Sequence, residues 1–291
     1  MSTLGTLQQR TGQLQAAKST FEQAVNEWNE LVRQEPTSLK FTRERMLAYS
    51  HLGDVLGNPN YDNLKDPEGA KKAFDSMVDA ARQRFEANPD DQGAIIDYGM
   101  ALGRLAAIPL QPVDERLELY QRAAKQLAGA IERDPSNSTV RMNIASQKEL
   151  AGDLLSENGR TADARSHYLA ALAVLDGSTN LLPAARRVQV TCLQKLGEEA
   201  ARRGNLSEAT TFAQRALKIG EATPQSPTAS AIVRPKAYVA MASVEALLHR
   251  PAEARKWREK ALQEYQRLSN ERDFAPAYRK LMKELEATLA K

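Results

Sequence analysis

This chain of 291 residues has one cysteine, three histidines and only 5% aromatic residues, and each scarcity removes a class of protein. A lone Cys192 can form neither an intramolecular disulfide nor a multi-cysteine metal site, so redox chemistry assigns no compartment. His51, His167 and His249 lie far apart and have no ligand partner at metal spacing, so no metal centre is expected. With 15 glycines and 13 prolines the chain is neither collagen-like nor of low complexity. Forty basic residues against 37 acidic ones leave a net charge of +3, too little for a polyanion-binding field. No run approaches the roughly 18 apolar residues of a membrane span, and Met1–Arg10 lacks the apolar stretch of a secretory signal. A soluble, folded chain with no readable address is expected, since 42% of its residues are hydrophobic and 26% charged.

Chemistry is equally sparse. There is no Gly-x-x-x-x-Gly-Lys phosphate loop and no Gly-x-Gly-x-x-Gly. Of the protein-kinase motifs, His249-Arg250-Pro251 lacks the aspartate and Asp273-Phe274-Ala275 the glycine. Cys192 lies in the helical run Val188–Leu196 and reads as a buried, inert thiol. No nucleophile and base can be paired, so no catalytic residues and no cofactor are expected. Arg186-Arg187, Arg202-Arg203 and the 11 basic residues from Arg250 onward read as solvated helix faces, and no nucleic-acid partner is expected.

What the chain does have is a long repeat. Leu-Gly or a near equivalent recurs at Leu4-Gly5, Leu52-Gly53, Leu102-Gly103, Ala151-Gly152, Leu196-Gly197 and Met241-Ala242, at spacings of 48, 50, 49, 45 and 45. After each comes a turn and a small-aromatic-small element. Examples are Ala17, Phe21 and Ala24 after Gly12, and Ala164, Tyr168 and Ala171 after Gly159. Gly204 leads to Ala209, Ala213 and Ala216, whereas Lys65 and Gln111 stand where two further copies, the second and third, lack the glycine. Pro36, Pro89, Pro135 and Pro183 each follow the last small position by 12.

Spacings of three and four put these residues on one helical face, and proline with Asx or glycine marks the ends. Each copy reads as a helix, a short turn and a second helix. A glycine inside a helix costs about 1 kcal/mol against alanine, so one that recurs in register needs a compensating gain. Close approach of the facing helix supplies it, with the aromatic ring filling the space between pairs.

The order Leu-Gly, Gly, Ala, Phe or Tyr, Ala, Pro resembles the tetratricopeptide repeat (TPR) signature from Leu4 to about Ala261. The resemblance implies an all-α, right-handed superhelix of six antiparallel helix pairs. Repeats are expected at about 1–36, 37–89, 90–135, 136–183, 184–227 and 228–273, with a capping helix over 274–290, in a single domain. The period exceeds the family's 34, and longer helix pairs are expected. The cap would turn Tyr278, Leu281, Met282, Leu285 and Leu289 onto the last pair. Leu52-Gly53-Asp54-Val55-Leu56-Gly57-Asn58-Pro59 with Asn63-Leu64 also resembles the TPR segment of bacterial serine/threonine receptor kinases. Because the first copy has only about nine residues before its turn, the chain reads as cut from a longer polypeptide.

In the TPR register the first helix of each pair lines a concave groove, with the residue after the Leu-Gly glycine pointing into it. Those residues are Asp54, Arg104, Asp153, Glu198 and Ser243, joined by Ser50, Glu149 and Gln194 one turn earlier and by Asp97. Their acidity implies a protein or peptide partner with basic residues, and no clamp for a terminal carboxylate. The expected function is non-catalytic protein binding within a larger bacterial signalling protein. Self-association through an open N-terminal end is the alternative, with an RNA-binding helical repeat ranked behind it.

Overall fold

The computed structural model describes residues 2–59, 61–178, 180–224, 232–269 and 276–290. Among them are thirteen helices and no strand. The chain divides into two compact units, Met1–Ser136 and Asn137–Lys291. The first holds three helix pairs: α1 (Ser2–Arg10) with α2 (Leu14–Gln34), α3 (Leu39–Gly57) with α4 (Pro67–Ala87), and α5 (Gln92–Ala106) with α6 (Val113–Arg133). The second holds α7 (Ser138–Glu157) with α8 (Thr161–Leu175), α9 (Pro183–Arg202) with α10 (Leu206–Ala222), and α11 (Val233–Leu247) with α12 (Pro251–Ser269). α13 (Pro276–Leu289) follows and packs on α12. Partners within a pair pack together, and α2, α4, α8 and α10 pack in addition on the first helix of the next pair. This chain-order stacking is the arrangement of an α-solenoid.

The second helices bury a single stripe, such as Ala17, Phe21, Ala24, Val25 and Val32 on α2, and Ala70, Ala73, Phe74, Met77, Ala80 and Ala81 on α4. Against these rings lie the recurring glycines. A Cβ built on Gly53 would sit 2.5 Å from Phe74, and one on Gly152 would sit 2.6 Å from Tyr168. Gly5 meets Phe21 in the same way. The fifth copy replaces the ring with Ala213, and there a Cβ on Gly197 would approach nothing closer than Val244, at 3.0 Å.

Five of the six turns inside the pairs share one backbone feature. Gly12, Gly159 and Gly204 take the left-handed conformation, with φ of 79, 76 and 77°. Lys65 and His249 take it too, at 59 and 56°, each five residues before the first small residue of its second helix. The turn geometry is therefore kept at these two without glycine, whereas Gln111, between α5 and α6, does not take it. Between pairs, Glu35, Asn88 and Asp134 leave the α region ahead of Pro36, Pro89 and Pro135. Ser38, Asp91 and Asn137 then cap the next helices by accepting from Phe41, Gly93 and Val140 amides. Pro183 differs. α8 already ends at Leu175, and Pro183 opens α9, where its missing N–H costs nothing.

Residues 225–231 and 270–275, with the expected boundary near Pro227 and the expected cap start at Phe274, lie outside the described residues, as does the side chain of Tyr278. Of the remaining cap residues, Leu281, Met282 and Leu285 pack with Ala261 and Tyr265.

Gly53→Ala is expected to destabilise the chain by about 1–3 kcal/mol in urea unfolding, through overpacking against Phe74. Gly129→Ala in α6, where a Cβ meets only open space, should instead stabilise it by up to about 1 kcal/mol.

Candidate functional site

The face made by the first helices of the first unit is charged but internally paired. Asp54 on α3 receives the Arg104 guanidinium of α5 in a largely buried ion pair, and Asn58 Nδ2 donates to Asp54 Oδ1 at 2.7 Å. The Arg104 guanidinium also lies 5.9 Å from the ring centre of Tyr61 and donates to its hydroxyl. Tyr61 belongs to the insertion between α3 and α4, so that insertion folds onto the face. Burial pushes the Asp54 carboxyl up against the pull of Arg104 and the Asn58 hydrogen bond. Burial also works against the charge on Arg104, but Asp54 and Tyr61 more than restore it. His51 stacks on Phe21 at 5.1 Å, and burial holds its imidazole below its usual range, toward the neutral form. Ser50 is buried beside it.

Asp97 works in a second network. It accepts from Arg43 Nε of α3 at 3.0 Å and from Arg84 of α4, while Arg84 Nη2 also donates to Asp91 Oδ2 at 2.8 Å. Asp91 is the residue whose other oxygen caps α5. The four side chains tie three consecutive helices together.

In the second unit the face is formed by α7, α9 and α11. Glu149 is 8% exposed, and burial pushes its carboxyl up despite Lys236 and Arg187 nearby. Asp153 accepts from Tyr168 Oη at 2.7 Å and lies 3.4 Å from Lys195 Nζ. Burial and then Glu149 raise the Cys192 thiol out of the reactive range. Gln194 donates to Glu198 Oε1 at 2.9 Å, and Arg202 reaches its other oxygen at 3.4 Å. Ser243 is half-buried. A cavity of about 120 Å³ opens beside this face, with Arg165, Tyr168, Lys195 and Glu198 in its wall.

Each unit thus gathers its share of the sequence-chosen residues on its own first helices: Ser50, Asp54, Asp97 and Arg104 in one, and Glu149, Asp153, Gln194, Glu198 and Ser243 in the other. The acids among them face internal cations rather than open solvent. Apart from Arg104, sequence reasoning missed those cations, and it missed Tyr61. Stepping seven residues back from the position after the glycine reaches Asp97 from Arg104, Thr191 from Glu198 and Lys236 from Ser243, so two more turns of the same register would have found part of the second cluster. Among the described residues no His, Cys, Asp and Glu side chains gather as a metal site. No helix among them is long and apolar enough to cross a membrane.

With this geometry in hand, two solved structures align over most of the chain. BtubC (BKLC) from P. vanneervenii shares 14% identity at a TM-score of 0.58, covering 88% of this chain and 92% of that one. The apo form of the quorum sensor NprR from B. thuringiensis shares 14% at 0.53, covering 98% and 69%. The fold is a TPR-like array of helix pairs. A tetratricopeptide repeat protein from Parabacteroides merdae aligns at 13% identity over 98% of this chain and 82% of that one, with a TM-score of 0.42, too low to add to this. No family model and no curated protein matches the sequence. At these identities the TPR-like likeness is one of fold.

Arg104→Met leaves the buried Asp54 carboxylate without its cation and should cost about 3–5 kcal/mol of unfolding free energy. The pair Asp54→Leu with Arg104→Met should recover most of that loss in the same denaturant titration.

Proposed function

We propose that this chain is a non-catalytic interaction module that binds a peptide or protein segment along the faces of its first helices. The observation that carries this reading is the state of those faces. Many of their polar groups are already held in place by bonds within the chain, as Gln194 is by Glu198 and Arg104 by Asp54. A partner laid across such a face orders little that is not already ordered, and this lowers the entropic cost of association. Ser50, Asp54, Asp97, Arg104, Glu149, Asp153, Gln194, Glu198 and Ser243 are the proposed contact set. The repeat register continues through both units, which supports treating the chain as one repeat domain. One protein of this fold is a quorum sensor, so a signal-sensing role is compatible with the architecture. The likeness of Leu52–Pro59 to the TPR segment of bacterial serine/threonine receptor kinases supports a regulatory or sensory place within a larger signalling protein.

The attraction for a basic partner rests on the acids of the contact set. Neutralisation of Asp54, Asp97, Asp153 and Glu198 by neighbouring cations weakens that argument. Hydrogen bonding and shape therefore carry more of the binding than net acidity.

To test the reading, the full chain is panned against displayed random 12-residue peptides, and the affinity of selected peptides is measured by calorimetry. Gln194→Ala and Ser243→Trp, both on half-buried positions of the second unit, should each weaken selected peptides by about tenfold, or 1.4 kcal/mol. Failure to select any peptide, or binding indifferent to both substitutions, sinks the proposal.

One observation favours the alternative of self-association. On α1, Leu4 and Leu7 are 54% and 58% exposed, one turn apart on the same side. Under this reading, light scattering shows a mass that rises with concentration and returns to the monomer value in Leu4→Gln with Leu7→Gln. A concentration-independent monomer eliminates it.

A further inference from the structure

Three positive charges and one buried carboxylate share the first-helix face of the second unit. Arg187, Thr191 and Lys195 follow one another at intervals of four on α9, so they stand in one row along that helix. α9 packs between α7 and α11, and these neighbours contribute Glu149 and Lys236. Lys195 is engaged with Asp153. Neither Arg187 nor Lys236 touches a carboxylate among the described residues, although both lie close enough to Glu149 to influence its charge. Both cations are half-buried rather than extended into solvent. Partial burial reduces the solvent screening of both charges, so an anion brought between them is held more strongly than at an exposed lysine. Several other buried or half-buried arginines are met by a carboxylate, as Arg84, Arg104, Arg165 and Arg234 are, or by neutral oxygens, as Arg45 is by Gln83 and Arg116 by the Ala106 carbonyl.

We propose that Arg187 and Lys236 receive an acidic side chain of the bound segment, with Glu149 as the internal carboxylate that this side chain replaces. This rests on the segment-binding reading above and names the chemistry of one subsite within it. The favoured occupant is an Asp or Glu within a peptide. Complementarity is one of charge, two cations for one incoming anion, in a setting where burial strengthens the attraction.

The cluster also makes the subsite sensitive to pH. Burial pushes the Glu149 carboxyl up and the Lys236 amine down, so each inclines toward its neutral form. The charged and titratable groups around Glu149 are Asp153 on its own helix, Tyr168 from α8, Arg187, Cys192 and Lys195 from α9, and Lys236 from α11. An incoming carboxylate favours both a protonated Glu149 and a protonated Lys236. Binding therefore takes up protons, and affinity rises as pH falls.

The experiment uses end-blocked 12-residue peptides selected on the full chain, each made also with its acids changed to Asn or Gln. On the wild-type chain the change should weaken binding about tenfold or more. On Lys236→Met or Arg187→Met it should matter about threefold at most, whereas Lys236→Arg should restore the wild-type preference. Between about pH 8 and pH 6 the wild type should bind acidic peptides more tightly as pH falls, with a smaller slope in Glu149→Gln. Circular dichroism of each variant separates lost binding from lost fold, and a variant that unfolds leaves the Arg187 and Glu149 changes to decide. Selected peptides with no dependence on an acid, or a dependence unchanged in every variant, overturn this subsite and leave segment binding standing. If no peptide is retained, segment binding falls and the subsite falls with it.

Discussion

The backbone of each affected first helix runs closer to an aromatic ring than a Cβ would permit, and the stacking of the array depends on that approach. Phe21, Phe74 and Tyr168 lie over Gly5, Gly53 and Gly152, so the two helices of each pair meet ring against backbone. The alanines that line the second helices, Ala17, Ala70 and Ala164 among them, are fully buried or nearly so because the same closeness leaves no room for more. The low aromatic content follows: one ring wedges each of these three pairs, and small residues fill the rest. Where the ring is lost, as at Ala213, the glycine opposite is no longer in a clash that only glycine avoids.

That geometry was largely legible from the sequence, because its causes are local. Glycine before an interval of five, small residues at intervals of three and four, and proline at a fixed distance are properties of neighbours along the chain. They lead directly to helix pairs, turns and caps. Lys65 and His249 were the exceptions among the turns. They take the left-handed conformation without being glycine or asparagine, and only their places five residues before Ala70 and Ala254 mark them. Pro183 was counted with the prolines that close a pair, yet it opens one, since proline at the first turn of a helix and proline past its end look alike until the helix before it is seen to stop.

The electrostatics were much less legible. The position after the repeat glycine was correctly read as polar, but whether its charge is free depends on residues one or two repeats away. Asp54 meets Arg104 across 50 residues and Asp97 meets Arg43 across 54. Periodicity says which face a side chain is on, not how far a guanidinium on the next helix will reach. Hence the acids chosen as ligands for a basic partner prove to be partners of the chain's own arginines and lysines. The residues with charge to spare, Arg187 and Lys236, belong to the same face but were not in the contact set.

The mixed order of groups at that one repeat position carries a further meaning. An array of identical repeats is translationally degenerate: anything that fits one step fits the next, so a bound chain can slip. Within the first unit a step of one repeat exchanges Asp54 for Arg104, and within the second it exchanges Asp153 for Glu198 and then Ser243. The shape repeats while the charge does not. For the proposed bound segment, geometry alone would thus allow many alignments, and the change of side chain from step to step would remove that freedom, as the teeth of a key remove the symmetry of its blade.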